Sequence, residues 1–216
     1  KAEQNKVWVG LSKETAHQLG TPISSLMAWM DLLESSGVDP SLLSDMNKDV
    51  NRLSVIAERF SKIGSKPEME LIYVNEVLEN ATEYMRRRVS DKVLITTHLP
   101  SDAEGAMVCL SLFEWVIENL CKNAVDAMNG EGRIDVYMTS EKQQIYIDIK
   151  DTGKGIARKN FKTVFNPGYT TKKRGWGLGL TLAKRIIEDY HAGRIYVKDS
   201  EVGKGTIFRI ELKRVV

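Results

Sequence analysis

The segment Glu14-Thr15-Ala16-His17-Gln18-Leu19-Gly20-Thr21-Pro22-Ile23 places a histidine on a predicted helix, directly beside an apolar seam. The seam has alternating three- and four-residue spacings, which are typical of a helix that packs against other helices. Its members are Val9, Ser12, Ala16, Leu19, Ile23, Leu26, Met30 and Leu33. His17 lies one residue beyond the seam, which corresponds to about 100° of rotation around the helix. We therefore expect its imidazole to face solvent next to the packed interface.

A second segment has the same spacing and predicts a second helix. Its seam consists of Leu43, Met46, Val50, Leu53, Ala57 and Phe60. The turn at residues 35–40 ends the first helix, and Asp39-Pro40-Ser41 supplies start signals for the next. Two helices with a short connection predict an antiparallel hairpin, which cannot bury both stripes alone. A homodimeric four-helix bundle would bury them; docking of the hairpin on the rest of its own chain is the alternative.

Composition excludes several classes of protein. The 216 residues include 31 basic and 29 acidic side chains, and this near balance argues against a dedicated nucleic-acid surface. Cys109 and Cys121 lack metal-ligand or redox-motif spacing, so we expect buried thiols in a reducing compartment. No window reaches the length of apolar sequence that a membrane span needs. Because the sequence starts at Lys1 within a helical pattern, we expect the cytoplasmic part of a longer protein, with any sensor or membrane anchor upstream.

The break at residues 64–67 predicts a boundary between a helical hairpin, residues 1–65, and a second domain, residues 66–216. The second domain alternates between strand and helix patterns. Strands are predicted near residues 71–74, 92–98, 106–110, 133–139, 144–148, 194–198 and 206–212, and helices near 75–88, 111–128 and 178–190, with Gly193 as the last C-cap. This order predicts an α/β sandwich with helices on one face of a mixed sheet, and an α+β class for the whole chain.

Several polar and glycine-rich motifs follow in the second domain. Asn119 and Asn123 are four residues apart on one predicted helix and so share a face, where amide oxygens can hold a hydrated Mg²⁺. Asp151-Thr152-Gly153-Lys154-Gly155 is a turn that lets the backbone approach a ligand closely. Residues 166–176 form a basic loop, and its glycines continue to position 179 at the start of a helix, an arrangement suited to phosphates. The last motif is Gly203-Lys204-Gly205-Thr206.

Together with His17, and with Phe165-Asn166-Pro167-Gly168 between the glycine motifs, this order resembles the histidine, asparagine, glycine and phenylalanine boxes of sensor histidine kinases. The resemblance covers nearly the whole chain. It implies a dimeric hairpin followed by an ATP-binding sandwich of the type shared by gyrase, HSP90 and histidine kinases. It also implies transfer of the γ-phosphoryl group of ATP to His17, and then to an aspartate of a response regulator.

The resemblance assigns roles to individual residues. Asn123 would be the Mg²⁺ ligand with Asn119 as its companion, and Lys122 would lie near the phosphates. Asp151 would accept a hydrogen bond from the adenine amino group, in a pocket formed with Gly153, Gly155 and the Thr206 hydroxyl. The lid over the triphosphate would include Lys172, Lys173, Arg174, Gly175, Gly177, Leu178 and Gly179.

One position departs from the family pattern. An acidic residue usually follows the phosphorylated histidine, and here that residue is Gln18. A neutral acceptor in place of a charged one costs on the order of 1 kcal/mol, or about tenfold in rate. Thr21 lies four residues after His17 on the same face, where its family counterpart orients water for dephosphorylation of the regulator. Gly20 and Pro22 also favour a local bend in the helix.

Other functions remain open at this point. One is an ATPase of the same superfamily, although such enzymes carry a general-base glutamate where this chain has Asn119. Another is a phosphatase-dominant protein or a nucleotide-gated dimeric scaffold with weak kinase activity. His98 and His191 lie outside the motifs, and we expect structural roles for both.

Overall fold

The computed structural model describes residues 2–65, 67–171 and 177–215. Within these ranges, side chains are described from position 10 onward, except at position 11. It divides into two compact units, Lys1–Pro67 and Glu68–Val216. Among the described residues, no helix is both long enough and apolar enough to cross a lipid bilayer.

The first unit is a hairpin of two long helices, as predicted. Helix α1 spans Ala2–Ser35, and helix α2 spans Pro40–Gly64. Asp39 caps α2, because its carboxylate accepts the backbone N–H of Ser41 at 2.8 Å while Pro40 occupies the first helical position. Gly20 and Pro22 do not interrupt α1, so the expected weakening leaves the helix continuous.

The hairpin buries only part of each seam. Ile23 and Met30 of α1 pack with Val50 and Ala57 of α2 in one cluster, and Leu19 covers it. The intervening seam residues remain accessible: Leu26 is 40% exposed, Met46 40% and Leu53 41%. Within the hairpin, about half of the predicted interface is therefore buried.

The second unit is an α/β sandwich, which confirms the prediction. Its strands are β1 (Glu70–Tyr73), β2 (Val93–His98), β3 (Gly105–Val108), β4 (Gly132–Glu141), β5 (Gln144–Asp151), β6 (Arg194–Glu201) and β7 (Gly205–Lys213). Its helices are α3 (Val74–Arg86), α4 (Leu110–Ala127) and α5 (Gly179–Arg185), and α5 continues as a π-helical turn over Ile186–Tyr190. Two 3₁₀ turns cover Arg158–Asn160 and Thr163–Phe165.

The main sheet has the order β2-β4-β5-β7-β6, in which only the β2–β4 pair is parallel. Strands β1 and β3 form a separate antiparallel pair. Alternate residues of β5 and β7 are buried, which places one sheet face against the helices. The buried residues are Ile145, Ile147 and Ile149 of β5, Phe208, Ile210 and Leu212 of β7, and Leu112, Phe113, Val116, Ile117 and Leu120 of α4.

Two local predictions need correction. Strand β5 continues to Asp151, three residues beyond its predicted end, because each residue from Gln144 onward pairs with β7. Gly193 is not the left-handed cap of the last helix, since Ala192 adopts that conformation with φ of 49°. Gly193 is needed for close packing instead, because a Cβ there would press against the Glu211 carbonyl oxygen.

The two cysteines are buried as expected, and both histidines outside the motifs make contacts within the second unit. Cys109 and Cys121 are buried, and burial raises the pKa of Cys121 to about 12. His98 contacts the Asp135 carboxylate at 2.9 Å and stacks on Tyr137. His191 is buried and links the residue before α4 to the first residue of the π-helical turn, through Cys109 N at 3.0 Å and Ile186 O at 2.8 Å.

Candidate functional site

Asp151 is a buried carboxylate at the end of β5. It is 3% exposed and lies in register with Thr206 of β7. Its Oδ1 accepts the backbone N–H of Gly153 at 2.8 Å, and its carboxylate also accepts the backbone N–H of Thr206. Burial raises the pKa of Asp151, and these two backbone donors partly oppose that shift. The carboxylate is thus fixed in orientation by the backbone on both sides.

The backbone around Asp151 is packed so closely that glycine is required at two positions. A Cβ on Gly205 would collide with the Asp151 carbonyl oxygen, and a Cβ on Gly155 would collide with the Glu201 carbonyl oxygen. Both glycines also have positive φ, 121° and 71°, respectively. The first and third glycine motifs are therefore in direct contact at the end of the sheet.

Ser200 joins the same two motifs through its side chain, and the sequence analysis missed it. Its Oγ accepts the Ile156 backbone N–H at 2.7 Å and lies 2.8 Å from the Gly205 carbonyl oxygen and 2.9 Å from Thr206 Oγ1. Ser200 pairs with Thr206 across the β6–β7 hairpin. The hairpin register could have indicated this pairing, because Ser200 and Thr206 flank a glycine-containing turn.

Helix α4 presents Asn119 and Asn123 on one face, and both are half-buried. The side-chain amide of Asn119 donates to the carbonyl of Gly179, the first residue of α5, with an N···O distance of 2.6 Å. A Cβ at position 179 would lie 2.7 Å from Asn119 Oδ1, so glycine is needed for this approach. Lys122 is exposed. The asparagine motif and the second glycine motif thus meet directly.

The predicted phosphate loop is described at its two ends. The Gly168 N–H donates to the Gly177 carbonyl at 3.1 Å, and Lys154 Nζ donates to Thr171 Oγ1 at 2.8 Å. Phe165, just before the loop, packs edge-on against Phe208, and its carbonyl accepts the Thr181 hydroxyl at 2.9 Å. The predicted lid residues Lys172, Lys173, Arg174 and Gly175 lie outside the described residues, whereas Gly177, Leu178 and Gly179 lie within them.

His17 is exposed on α1 of the hairpin, as expected. It lies at the meeting point of two shallow grooves. One runs along α1 and is lined by Ala16, His17, Gly20, Thr21, Ser24, Ser25 and Ala28; the other includes α2 and is lined by Gly10, Lys13, Glu14, Ala16, His17, Ser54, Ala57, Glu58 and Ser61. Most of these side chains are small, so the imidazole is accessible from both sides.

Gln18 is held by a neighbouring turn of α1. Its Nε2 donates to Glu14 Oε1 at 2.7 Å, which leaves the amide oxygen as the group that can accept a hydrogen bond. Thr21 is exposed one turn after His17. The residues that the sequence analysis assigned to chemistry in the hairpin therefore share one accessible stretch of helix.

Residues 109–216, half of the chain, match the family described as histidine kinase-, DNA gyrase B- and HSP90-like ATPase. The chain belongs to this ATPase family. Members of the family bind ATP, and the site between the asparagine and glycine motifs lies within the matched residues.

Similarity to histidine kinases extends beyond the ATPase family match. Sporulation kinase E of Bacillus subtilis (strain 168) is 30% identical over 209 residues, which cover 94% of this chain and 28% of that protein. A crystal structure of full-length ShkA in complex with AMPPNP shares the fold over 96% of this chain and 46% of ShkA, with a TM-score of 0.72 and 18% identity. Histidine kinase ThkA in complex with response regulator protein TrrA covers 99% of this chain and 64% of ThkA, with a TM-score of 0.64 and 19% identity. The chain thus spans less than a third of the curated relative's length.

The ATPase-family domain brings six of the residues predicted for nucleotide binding into two groups of contacts. Asp151, Gly153, Gly155 and Thr206 form one group at the end of the sheet. Asn119 and Gly179 form a second group between α4 and α5. His17, Gln18 and Thr21 belong to the helical hairpin, a separate unit.

Proposed function

We propose that this chain transfers the γ-phosphoryl group of ATP to His17 and then to an aspartate of a response regulator. Residues 66–216 would form the catalytic ATP-binding domain, and residues 1–65 the dimerisation and histidine-phosphotransfer domain. The observation that carries the proposal is the exposed imidazole of His17, which is accessible in two grooves of a helical hairpin joined to a domain of the ATPase family.

The Asp151 carboxylate is suited to adenine recognition. Backbone N–H groups hold it in one orientation, and a buried acceptor at this position matches the adenine amino donor. Guanine has a carbonyl at the same ring position, so its oxygen would face a carboxylate. Gly153, Gly155 and Gly205 allow the backbone to approach a flat base closely.

Asn123, with Asn119 as its companion, would hold Mg²⁺ against the phosphates. Amide oxygens on one face of α4 fit the preference of this ion for oxygen ligands. Bound Mg²⁺ would neutralise phosphate charge and orient the γ-phosphoryl group. The triphosphate would be surrounded by Lys122, by the lid residues Lys172, Lys173, Arg174 and Gly175, and by Gly177, Leu178 and Gly179, which lead into α5.

His17 would act as the nucleophile. A ring-nitrogen lone pair forms a bond to the γ-phosphorus while the bond from phosphorus to the β,γ-bridging oxygen breaks, and ADP leaves. The ring proton on the other nitrogen is then released to solvent, which leaves a neutral ring that carries the anionic phosphoryl group. The Gln18 amide oxygen can accept a hydrogen bond from that N–H during the step, because the amide nitrogen already donates to Glu14.

Gln18 and Thr21 also favour phosphatase activity toward the phosphorylated regulator. A neutral amide supports the developing imidazolium less strongly than a carboxylate does, and so disfavours the kinase step. The exposed Thr21 hydroxyl lies on the His17 face of α1, where it can orient a water molecule. We therefore include regulator dephosphorylation as a second activity of the same groove.

A homodimer is the proposed assembly. Large apolar side chains remain exposed on both helices of the hairpin, and a second copy would cover them in a four-helix bundle. They are Leu26, Met27, Trp29 and Leu32 on α1, and Leu42, Met46, Leu53, Val55 and Ile56 on α2. The complex of ThkA with TrrA supports a response regulator as the second partner.

In the test, the purified chain is incubated with γ-labelled ATP and Mg²⁺, and the label on the protein and in free phosphate is measured over time. We expect label to accumulate on the protein and to move to a receiver domain when one is added. Steady release of free phosphate with no labelled protein would instead support a simple ATPase.

A further inference from the structure

Three polar groups surround the Ser200 hydroxyl, and the number of available protons determines the direction of each hydrogen bond. The Ile156 N–H can only donate to Ser200 Oγ, and the Gly205 carbonyl can only accept from it. The Ser200 hydroxyl has one proton, so Ser200 donates it to the Gly205 carbonyl at 2.8 Å. The third contact, 2.9 Å to Thr206 Oγ1, is then a hydrogen bond only if Thr206 donates. The opposite assignment would leave two oxygen lone pairs facing each other at 2.8 Å.

In this assignment, the single hydroxyl proton of Thr206 is donated to Ser200. The residue is 4% exposed and lies in register with Asp151 on one side and Ser200 on the other. The Thr206 backbone N–H is also committed, because it donates to the Asp151 carboxylate. Toward any ligand beside Asp151, the Thr206 hydroxyl therefore presents acceptor lone pairs only.

We infer that Ser200 is a specificity-determining positioning residue, because it fixes the Thr206 hydroxyl as an acceptor and so favours a purine with a 6-amino group. This inference rests on the proposed nucleotide function. The 6-amino group has two donor hydrogens, and the Asp151 carboxylate and the Thr206 hydroxyl supply two acceptors, directly or through one water. A 6-oxo purine instead places a carbonyl oxygen, which is also an acceptor, opposite the Asp151 carboxylate and the Thr206 hydroxyl. If Ser200 is removed, the Thr206 proton can turn toward the ligand and accommodate the 6-oxo group.

The test compares ADP with IDP, which differ only in the base: hypoxanthine has a 6-oxo group and no 2-amino group. Binding of each to the full chain is measured by isothermal titration calorimetry in Mg²⁺. For Ser200→Ala we expect the ratio of the IDP Kd to the ADP Kd to fall about tenfold, the size of one buried hydrogen-bond mismatch. Thr206→Ser keeps the donor and should keep the wild-type ratio. Ser140→Ala removes a β4 hydroxyl that donates to Glu104, and it should also leave the ratio unchanged.

The outcomes separate this inference from the proposed function. If Ser200→Ala weakens both nucleotides equally, or changes neither, Ser200 has only a structural role and the inference is overturned. If Ser200→Ala does not fold by circular dichroism, Thr206→Val decides, because loss of the acceptor should lower the same ratio and an unchanged ratio contradicts the inference. If wild-type protein binds neither nucleotide, the proposed function itself fails.

Discussion

The side-chain amide of Asn119 donates a 2.6 Å hydrogen bond to the backbone carbonyl of Gly179. This bond fixes the start of α5 against α4, and α5 directly follows the predicted phosphate lid. Asn119 therefore positions Gly179, which follows the predicted lid, and it shares one face of α4 with Asn123 at the proposed Mg²⁺ site. An ionised glutamate at this position could not donate this bond.

Asn119→Asp should weaken both the fold and nucleotide binding. A carboxylate would face the Gly179 carbonyl with no proton between them, which costs about 1 kcal/mol at this half-buried position, the low end of the range for buried unsatisfied groups. Urea unfolding and ADP titration measure the two effects. Asn80→Asp, the same chemical change at an exposed position of α3, is the matched control and should alter neither. If the two variants had the same stability in urea and the same affinity for ADP, the Asn119 hydrogen bond would contribute to neither property.

Much of the fold could be predicted because it depends on local periodicity. The heptad spacings predicted both hairpin helices, and alternating patterns predicted the β4–β5 and β6–β7 pairs. Contacts that depend on long-range register could not be predicted in the same way. Gly193 was interpreted as a helix cap, whereas it is required by the approach of β7 at Glu211.

In the candidate site, too, local sequence patterns could be predicted, whereas long-range contacts could not. Glycine motifs and Asp151 are visible as sequence patterns, but their mutual contacts depend on the order of strands in the sheet. Ser200 carries no motif of its own, and its importance comes from lying opposite Thr206 across a hairpin. The bond from Asn119 to Gly179 joins residues 60 positions apart, so no local signal predicts it.

Moving a negative charge next to His17 should accelerate autophosphorylation. The double variant Glu14→Gln/Gln18→Glu keeps the net charge and reverses the amide–carboxylate pair seen in the wild type. We expect about a tenfold faster labelling of the protein, because a charge-assisted hydrogen bond stabilises the developing imidazolium. Single-turnover labelling with γ-labelled ATP measures the rate. Glu14→Gln alone is the control, and a double variant no faster than this control would refute the role given to position 18.

His191 should make the stability of the second unit depend on pH. Its neutral ring donates from Nδ1 to the Ile186 carbonyl and accepts the Cys109 N–H at Nε2, and burial holds its pKa below the ordinary value. The unfolded chain therefore binds a proton that the folded chain does not, once the pH falls below about 6.5. Stability is full above that pH and falls below it by at most about 1.4 kcal/mol per pH unit. His191→Gln should flatten this part of the curve in urea titrations between pH 7 and pH 5; identical slopes would contradict the assignment.

Ala192→Gly should stabilise the protein. Ala192 has φ of 49°, a left-handed conformation that costs a non-glycine residue about 1–2 kcal/mol. Glycine removes that strain but has a more flexible unfolded state, so a net gain of about 0.5–1 kcal/mol is expected. Ala157→Gly, at a residue with φ of −65°, is the matched control and should be neutral or destabilising. A lower denaturation midpoint for Ala192→Gly would show that the strain is absent.

The most direct measurement of the central claim is the chemical stability and position of label from γ-labelled ATP. Wild-type chain and His17→Ala are incubated with Mg²⁺ and the labelled nucleotide, and ADP titration confirms that both bind nucleotide equally. The account predicts label on the wild type that survives alkali and is lost in acid, as a phosphoramidate should be, and no label on His17→Ala. Undiminished label on His17→Ala would contradict it.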